Sequence, residues 1–165
     1  MKEKHANKPI DPRELRDALG QFATGVTVIT CFDQHGKPVG MTASSFNSLS
    51  LEPALVLWSI GKGSSNFEAF NSCSHFNIHI LKHDQGDLAY QFASKDGDRF
   101  ADVKLAQGDQ NAPAMEDCLV RFECSLNANH DGGDHRLLIG KVEKLQHNDG
   151  EALAFYRSKF AGLLA

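Results

Sequence analysis

The sequence predicts a mainly β chain with peripheral helices, arranged as an antiparallel barrel. Three observations lead there. Short apolar or β-branched runs recur between clusters of turn residues, and the last third sets two such turns, "HDGGDH" and "HNDGEA", between "LVRFECSLNAN", "RLLIGKVEKLQ" and "LAFYRSKFAG" as a meander. Only two or three short stretches carry helical spacing, with no sustained alternation of strand and helix.

Each element has a local reason. In "DPRELRDALGQFATG", Asp11 is placed to cap a helix, Pro12 suits its first position, and Leu15, Ala18, Leu19 and Phe22 recur at helical intervals before Gly25 stops it. "VTVITCF", the turn "DQHGKPVG" and "GMTASSF" predict a hairpin over residues 26–46. "ALVLWSI" is nearly continuously apolar, which predicts a strand buried on both faces, or with one face on the core and the other under a partner. "GKGSSNFEAF" reads as a glycine-rich loop entering a short helix, "HFNIHIL" as a strand and "HDQGDLAYQFAS" as a helix closed by the charged loop "KDGDRF".

Composition narrows the function. The 165 residues suit one domain, 1–165, and 41% hydrophobic with 23% charged residues is ordinary for a soluble globular protein. A formal charge of -4 argues against nucleic acid or an anionic membrane as partner. "MKEKHANKPIDPREL" lacks the apolar stretch of a signal peptide, so a cytoplasmic location is expected. Cys31, Cys73, Cys118 and Cys124 form no C-x-x-C pair and read as reduced thiols.

His75, His79 and His83 have a spacing that would gather three imidazoles on a helix. On a strand, residues four apart lie roughly 13 Å from one another, so no metal site is expected. The phosphate-binding G-x-G-x-x-G, the P-loop and the G-x-S-x-G elbow are all absent. What remains is "GKGSSN", whose amides and hydroxyls suit a phosphate or simply cap a helix, and the hydroxyl-rich "GMTASSFNSLS". The latter is either a solvated edge strand or a surface of small side chains that lets a flat ligand reach the backbone.

Taken in order, "FATGVTVIT", "GMTASSFNSLSLEPALVLWSI", "GKGSSNFEAF", "FNIHIL", "LAYQFASKDGDRF", "GDHRLLIGKVEKL" and "LAFYRSKF" resemble the flavin reductase family over nearly the whole chain. The resemblance implies an FMN-binding split barrel, like the small reductase components of two-component flavin-dependent monooxygenases. It implies that Thr42, Ala43, Ser44 and Ser45 lie along the isoalloxazine, and that Ser59, Lys62, Ser64, Ser65 and Asn66 hold the ribityl chain and phosphate. Lys62 is alternatively a solvated loop lysine, and Ser64 alternatively a helix cap. Arg99 is implied to pair with a phosphate, and Phe100 to pack on flavin or nicotinamide, unless "KDGDRF" merely ends a helix. His135 of "GDH" is the expected catalytic residue, on the nicotinamide side, with Tyr156 and Arg157 bordering the same site or packing a dimer.

The expected reaction is hydride transfer from NADH or NADPH to FMN, or to FAD, in a homodimer that passes reduced flavin to a monooxygenase. Two alternatives stay open: another split-barrel oxidoreductase, such as a cobalamin-pathway reductase or one acting on a pyridoxine-like substrate, and a module that binds flavin for storage or redox sensing without consuming nicotinamide.

Overall fold

The computed structural model describes residues 9–108 and 110–163. The start of the predicted amino-terminal segment, "MKEKHANK", and the ends of the predicted domain 1–165 lie outside them. Ten strands and three helices follow in the order α1 (Pro12–Leu19), β1 (Thr24–Gly25), β2 (Thr27–Phe32), β3 (Pro38–Ala43), β4 (Asn47–Leu51), β5 (Ala54–Gly61), α2 (Phe67–Ser72), β6 (His75–Ile80), α3 (Gly86–Ala93), β7 (Val120–Gly132), β8 (His135–His147), β9 (Leu153–Tyr156) and β10 (Lys159–Gly162).

Seven strands form one antiparallel sheet in the order β3-β2-β6-β7-β8-β5-β4, and β1, β9 and β10 form a second. The edge strands β3 and β4 are consecutive in sequence, joined only by residues 44–46. Four residues of extended chain span at most about 14 Å, so the two edges must come together and the sheet must curl. The hydroxyl-rich stretch is therefore the seam at which the barrel nearly closes.

Two apolar clusters flank β2, which is buried on both faces. Ile29 and Cys31 point into the barrel with Trp58, Phe70, Phe76, Ile78 and Leu138, while Val26 and Val28 pack with Leu81, Phe92, Met115 and Leu153. Trp58 meets Phe70 edge-on at 4.9 Å between ring centres.

Several expectations change in detail. Asp11 Oδ1 does accept from the amides of Arg13 (2.7 Å) and Glu14 (3.2 Å), but the helix stops at Leu19, where the amides of Gln21 and Phe22 tighten to bonds three residues back, on Ala18 and Leu19; Phe22 stands outside it. β5 buries Val56, Trp58 and Ile60 while its other face is only partly covered, so the strand is not buried on both faces. "LAFYRSKFAG" is a hairpin rather than the last limb of a meander. Arg157 (φ 48°) and Ser158 (φ 61°) make its two-residue turn, and β9 leaves the large sheet to pair with β1.

Candidate active site at the barrel seam

The small residues of the seam divide between core and surface, Ala43 being buried in the barrel cluster and Ser44 and Ser45 facing out. Alternation along β5 turns Trp58 and Ile60 into the core and leaves Ser59 and Gly61 on the other face. Across from them run Ala43, Ser44 and Ser45. Ser45 Oγ donates to the carbonyl of Ser59 and accepts from its amide, both at 3.0 Å. The Ala43 carbonyl accepts from Thr27 Oγ1 at 2.7 Å, and Thr42 Oγ1 donates to the Ala89 carbonyl at 2.6 Å. The Thr42 hydroxyl thus anchors α3, while Ser44 and Ser45 remain exposed.

One end of this wall is cationic. Arg99 Nε donates to the Ser94 carbonyl (2.8 Å), and its Nη1 donates to Asn66 Oδ1 (3.0 Å) and more distantly to the Gly40 carbonyl (3.4 Å), which Asn66 Nδ2 also approaches at 3.4 Å. Ser65, Asn66, Arg99 and Phe100 share a cavity of about 600 Å³. Phe100 also packs edge-on against buried Phe92, 5.0 Å between centres. Ser64 Oγ accepts from the Asn66 amide at 3.2 Å, shaping the turn into α2.

The other end carries His135, opposite Gly61 in the β5–β8 pairing. A methyl group on Gly61 would sit 3.7 Å from His135 Nε2, so the imidazole stands over bare main chain. Its Nδ1 is 2.7 Å from Asp134 Oδ1; that hydrogen bond, with the charge of the imidazole behind it, holds the Asp134 carboxyl below its usual range. Lys62 points to the same turn, donating to the Gly133 carbonyl (2.8 Å) and pairing with Asp131 (2.9 Å). Its ammonium is thus committed to the β7–β8 tip and is neither free in solvent nor directed at the cavity beside Arg99.

Tyr156 and Arg157 lie elsewhere. Tyr156 Oη (3.3 Å), Arg157 Nε (2.9 Å) and Nη2 (2.7 Å) all reach Gln21 Oε1 at the end of α1, and no hydrogen bond among the described residues links them to His135. Of the three histidines at fourfold spacing, His79 is fully buried with both nitrogens used, on the Val28 carbonyl and the Met115 amide. A larger cavity, about 860 Å³, sits beside Lys82, Asp117 and Asp149 and is lined by none of the candidate site residues.

Residues 19–164 match the flavin reductase like domain. The chain belongs to the flavin reductase family. An FMN reductase (NADH) of Agrobacterium fabrum is 45% identical over 148 residues, covering 90% of this chain and 84% of that protein. The reductase component of a flavin-dependent trigonelline monooxygenase from Acinetobacter baylyi is also 45% identical over 148 residues, covering 90% of this chain but 48% of that protein, so this chain spans about half of it. Among solved structures, the NADH:FAD oxidoreductase SgcE6 of Streptomyces globisporus, in complex with NAD and FAD fragments, superimposes with a TM-score of 0.86 at 31% identity, over 95% of this chain and 97% of that one.

The geometry suits a member of the flavin reductase family. No bulky side chain of β5 stands on the wall between Ser45 and Gly61, so a planar ring has room against main chain, and Ser65 with Arg99 suits a phosphate at one end. Sequence reasoning missed Gly40, Gly61 and Asp134. The last was readable from "GDH", since a carboxylate beside a site histidine orients its ring; Gly40 shows its purpose only once Phe92 is seen opposite it.

Proposed function

We propose that this chain, as one domain over residues 1–165, is an NAD(P)H-dependent flavin oxidoreductase that delivers reduced flavin to a separate monooxygenase. The observation that carries this reading is the wall of Ala43, Ser44, Ser45, Ser59 and Gly61, with His135 at one end and Arg99 at the other. The activities of the Agrobacterium, Acinetobacter and Streptomyces relatives support it, and two of the three point to NADH as donor.

Flavin held there would supply the electron acceptor for hydride from a nicotinamide donor. The chain's own part is positioning. Main chain and hydroxyls at 43–45 and Ser59 hold the ring's polar edge without leaving buried polar atoms unpaired; Ser64, Ser65 and Asn66 line the path to Arg99 at the phosphate. Phe100 backs that end. His135, oriented by Asp134, faces the donor side and orients the nicotinamide there. Lys62 fixes the hairpin tip that carries His135. Tyr156 and Arg157, tied to Gln21 beyond the end of α1, pack the dimer rather than border the nicotinamide side.

The working unit is a homodimer. None of the residues of α1 is buried in the single chain, and Leu19 (65% exposed), Phe22 (77%) and Leu51 (96%) leave apolar surface for a second copy to cover. Four free cysteines, three of them buried, suit the cytoplasm. The reading is tested by mixing the protein anaerobically with NADH and oxidised flavin: stoichiometric bleaching of the flavin supports it, and an unchanged yellow spectrum refutes it.

A further inference from the structure

Two thiols meet where α2 docks on the barrel. Cys31 of β2 lies wholly inside the barrel cluster, and Cys73, which ends α2, packs against the same cluster but is only half-buried. Phe70 seats the helix there, buried in that cluster and edge-on to Trp58, and Cys73 Sγ donates to the Phe70 carbonyl at 3.2 Å. The Cys31 thiol in turn bonds to Cys73, so the two sulfurs are hydrogen-bonded neighbours.

The contact makes the two unlike. The bond from Cys31 lowers the Cys73 pKa below the ordinary thiol value although burial opposes it, and the same bond, with burial next, drives Cys31 up. When the pair gives up a proton, Cys73 gives it. Among the described residues no second thiol acts on Cys118 or Cys124, and burial pushes them up to about 11 and about 12. Access differs as well. Cys73 lines a cavity of about 320 Å³ with Ser72, His75 and Asn111, and Cys31 does not, so a small oxidant from solvent meets Cys73 first.

We propose that Cys73 is an oxidation site and Cys31 its resolving thiol, the two closing to a disulfide that loosens the flavin wall. The oxidant is hydrogen peroxide, which on the flavin reading given above arises beside the protein whenever reduced flavin meets dioxygen instead of its partner and is reoxidised. The Cys73 sulfur attacks one peroxide oxygen, the O–O bond breaks, and a sulfenic acid and one water form. The Cys31 sulfur then attacks the Cys73 sulfur, the S–O bond breaks, and the hydroxyl leaves with the Cys31 proton as a second water. The pair loses two electrons and two protons, which one peroxide takes up.

The helix carries the consequence. α2 spans only Phe67–Ser72, so a pull on Cys73 at one end is felt by Asn66 at the other, whose Oδ1 holds Arg99 Nη1 at 3.0 Å. Flavin binding and disulfide formation then oppose each other by the same factor.

The full chain, reduced and then exposed to hydrogen peroxide, is digested without reductant and its cysteines are assigned by mass spectrometry. The expected result is a Cys31–Cys73 linked peptide, reversed by dithiothreitol, with Cys118 and Cys124 still free; in Cys31→Ala the Cys73 sulfenic acid should persist and be trapped by dimedone. Oxidation of all four cysteines alike, or a Cys73 that stays a thiol, would overturn the proposal. Fluorescence titration should show FMN bound about fivefold more weakly by the oxidised wild type, and no effect of peroxide in Cys73→Ser. An oxidised wild type that binds FMN as tightly as the reduced one would overturn the link to the flavin wall. A disulfide that forms in a protein binding no flavin in either state would refute the flavin reading and leave the thiol pair standing.

Discussion

Ser45 Oγ takes the place of a strand beside Ser59. The β4–β5 ladder ends at the pair Asn47 and Leu57, and beyond it the Ser45 hydroxyl donates to the Ser59 carbonyl and accepts from the Ser59 amide, 3.0 Å each way. One side chain thus closes the seam between the segment leaving β3 and the strand that carries Gly61.

Ser45→Ala removes both bonds at a site open to water, so the loss is about 1 kcal/mol, or a melting temperature lower by roughly 2–4 °C. Flavin should bind several-fold more weakly because the wall is no longer held. Calorimetry and fluorescence titration check the two effects separately.

His135 reaches over Gly61 and is braced by Asp134. His135→Ala should slow flavin reduction by about tenfold or more while flavin affinity changes less than about threefold. Stopped-flow reduction with saturating flavin measures the first, and an unchanged rate would remove the role given to His135. Asp134→Asn, which keeps the bulk but weakens the brace, should lower kcat.

Gly40 packs bare main chain against Phe92 of α3. A methyl group there would lie 2.6 Å from Phe92 Cε1 and 2.9 Å from Phe92 Cδ1, and Phe92 is buried. Gly40→Ala should cost about 1–3 kcal/mol in stability. Gly140→Ala, 2.6 Å from Phe76 Cζ and 3.0 Å from Cys124 Cβ, should do likewise. Thermal melts of each give the comparison, with Gly63→Ala, which meets nothing within 4 Å, as the neutral control.

Strands with apolar or β-branched runs were legible in the sequence: "VTVITCF", "ALVLWSI" and "HFNIHIL" lie where those runs put them, since each has at least one face that must be buried. The hairpin at Arg157 and Ser158 was not, because its turn uses two positive-φ residues without glycine. At the site, the hydroxyl-rich seam was visible as a pattern, but the partners of its hydroxyls were not. Thr42 bonds to a helix 47 residues away, and Lys62 to a turn 71 residues away, distances across which local pattern says nothing.

His79 makes stability depend on pH. Its Nδ1 faces the Val28 carbonyl at 3.0 Å and therefore carries the proton, while Nε2 accepts from the Met115 amide at 3.0 Å, so the ring is neutral. Burial foremost, with nearby Arg121 contributing, lowers its pKa from 6.5 to about 4. The unfolded chain then binds the extra proton first. The contribution is complete above about pH 6.5 and declines toward pH 4, by about 3 kcal/mol in all. Urea midpoints should fall between about pH 7 and pH 5. His79→Leu should be less stable at neutral pH but lack that part of the slope.

Phe22 and Leu19 give the dimer its test. Phe22→Asp, on surface that is 77% exposed in the single chain, should leave folding intact and shift equilibrium sedimentation from dimer to monomer. A wild type that sediments as a monomer at micromolar concentration would count against the homodimer.

The most direct measurement is anaerobic stopped-flow mixing of the protein with NADH and flavin, following the oxidised-flavin absorbance in the wild type and in Ser44→Phe. Ser44 is exposed on the wall, so a phenyl ring there blocks the ring's bed without disturbing the core. Rapid bleaching in the wild type, lost in Ser44→Phe together with flavin binding, is the predicted result; full activity with the bed blocked would place the reaction somewhere other than the barrel seam.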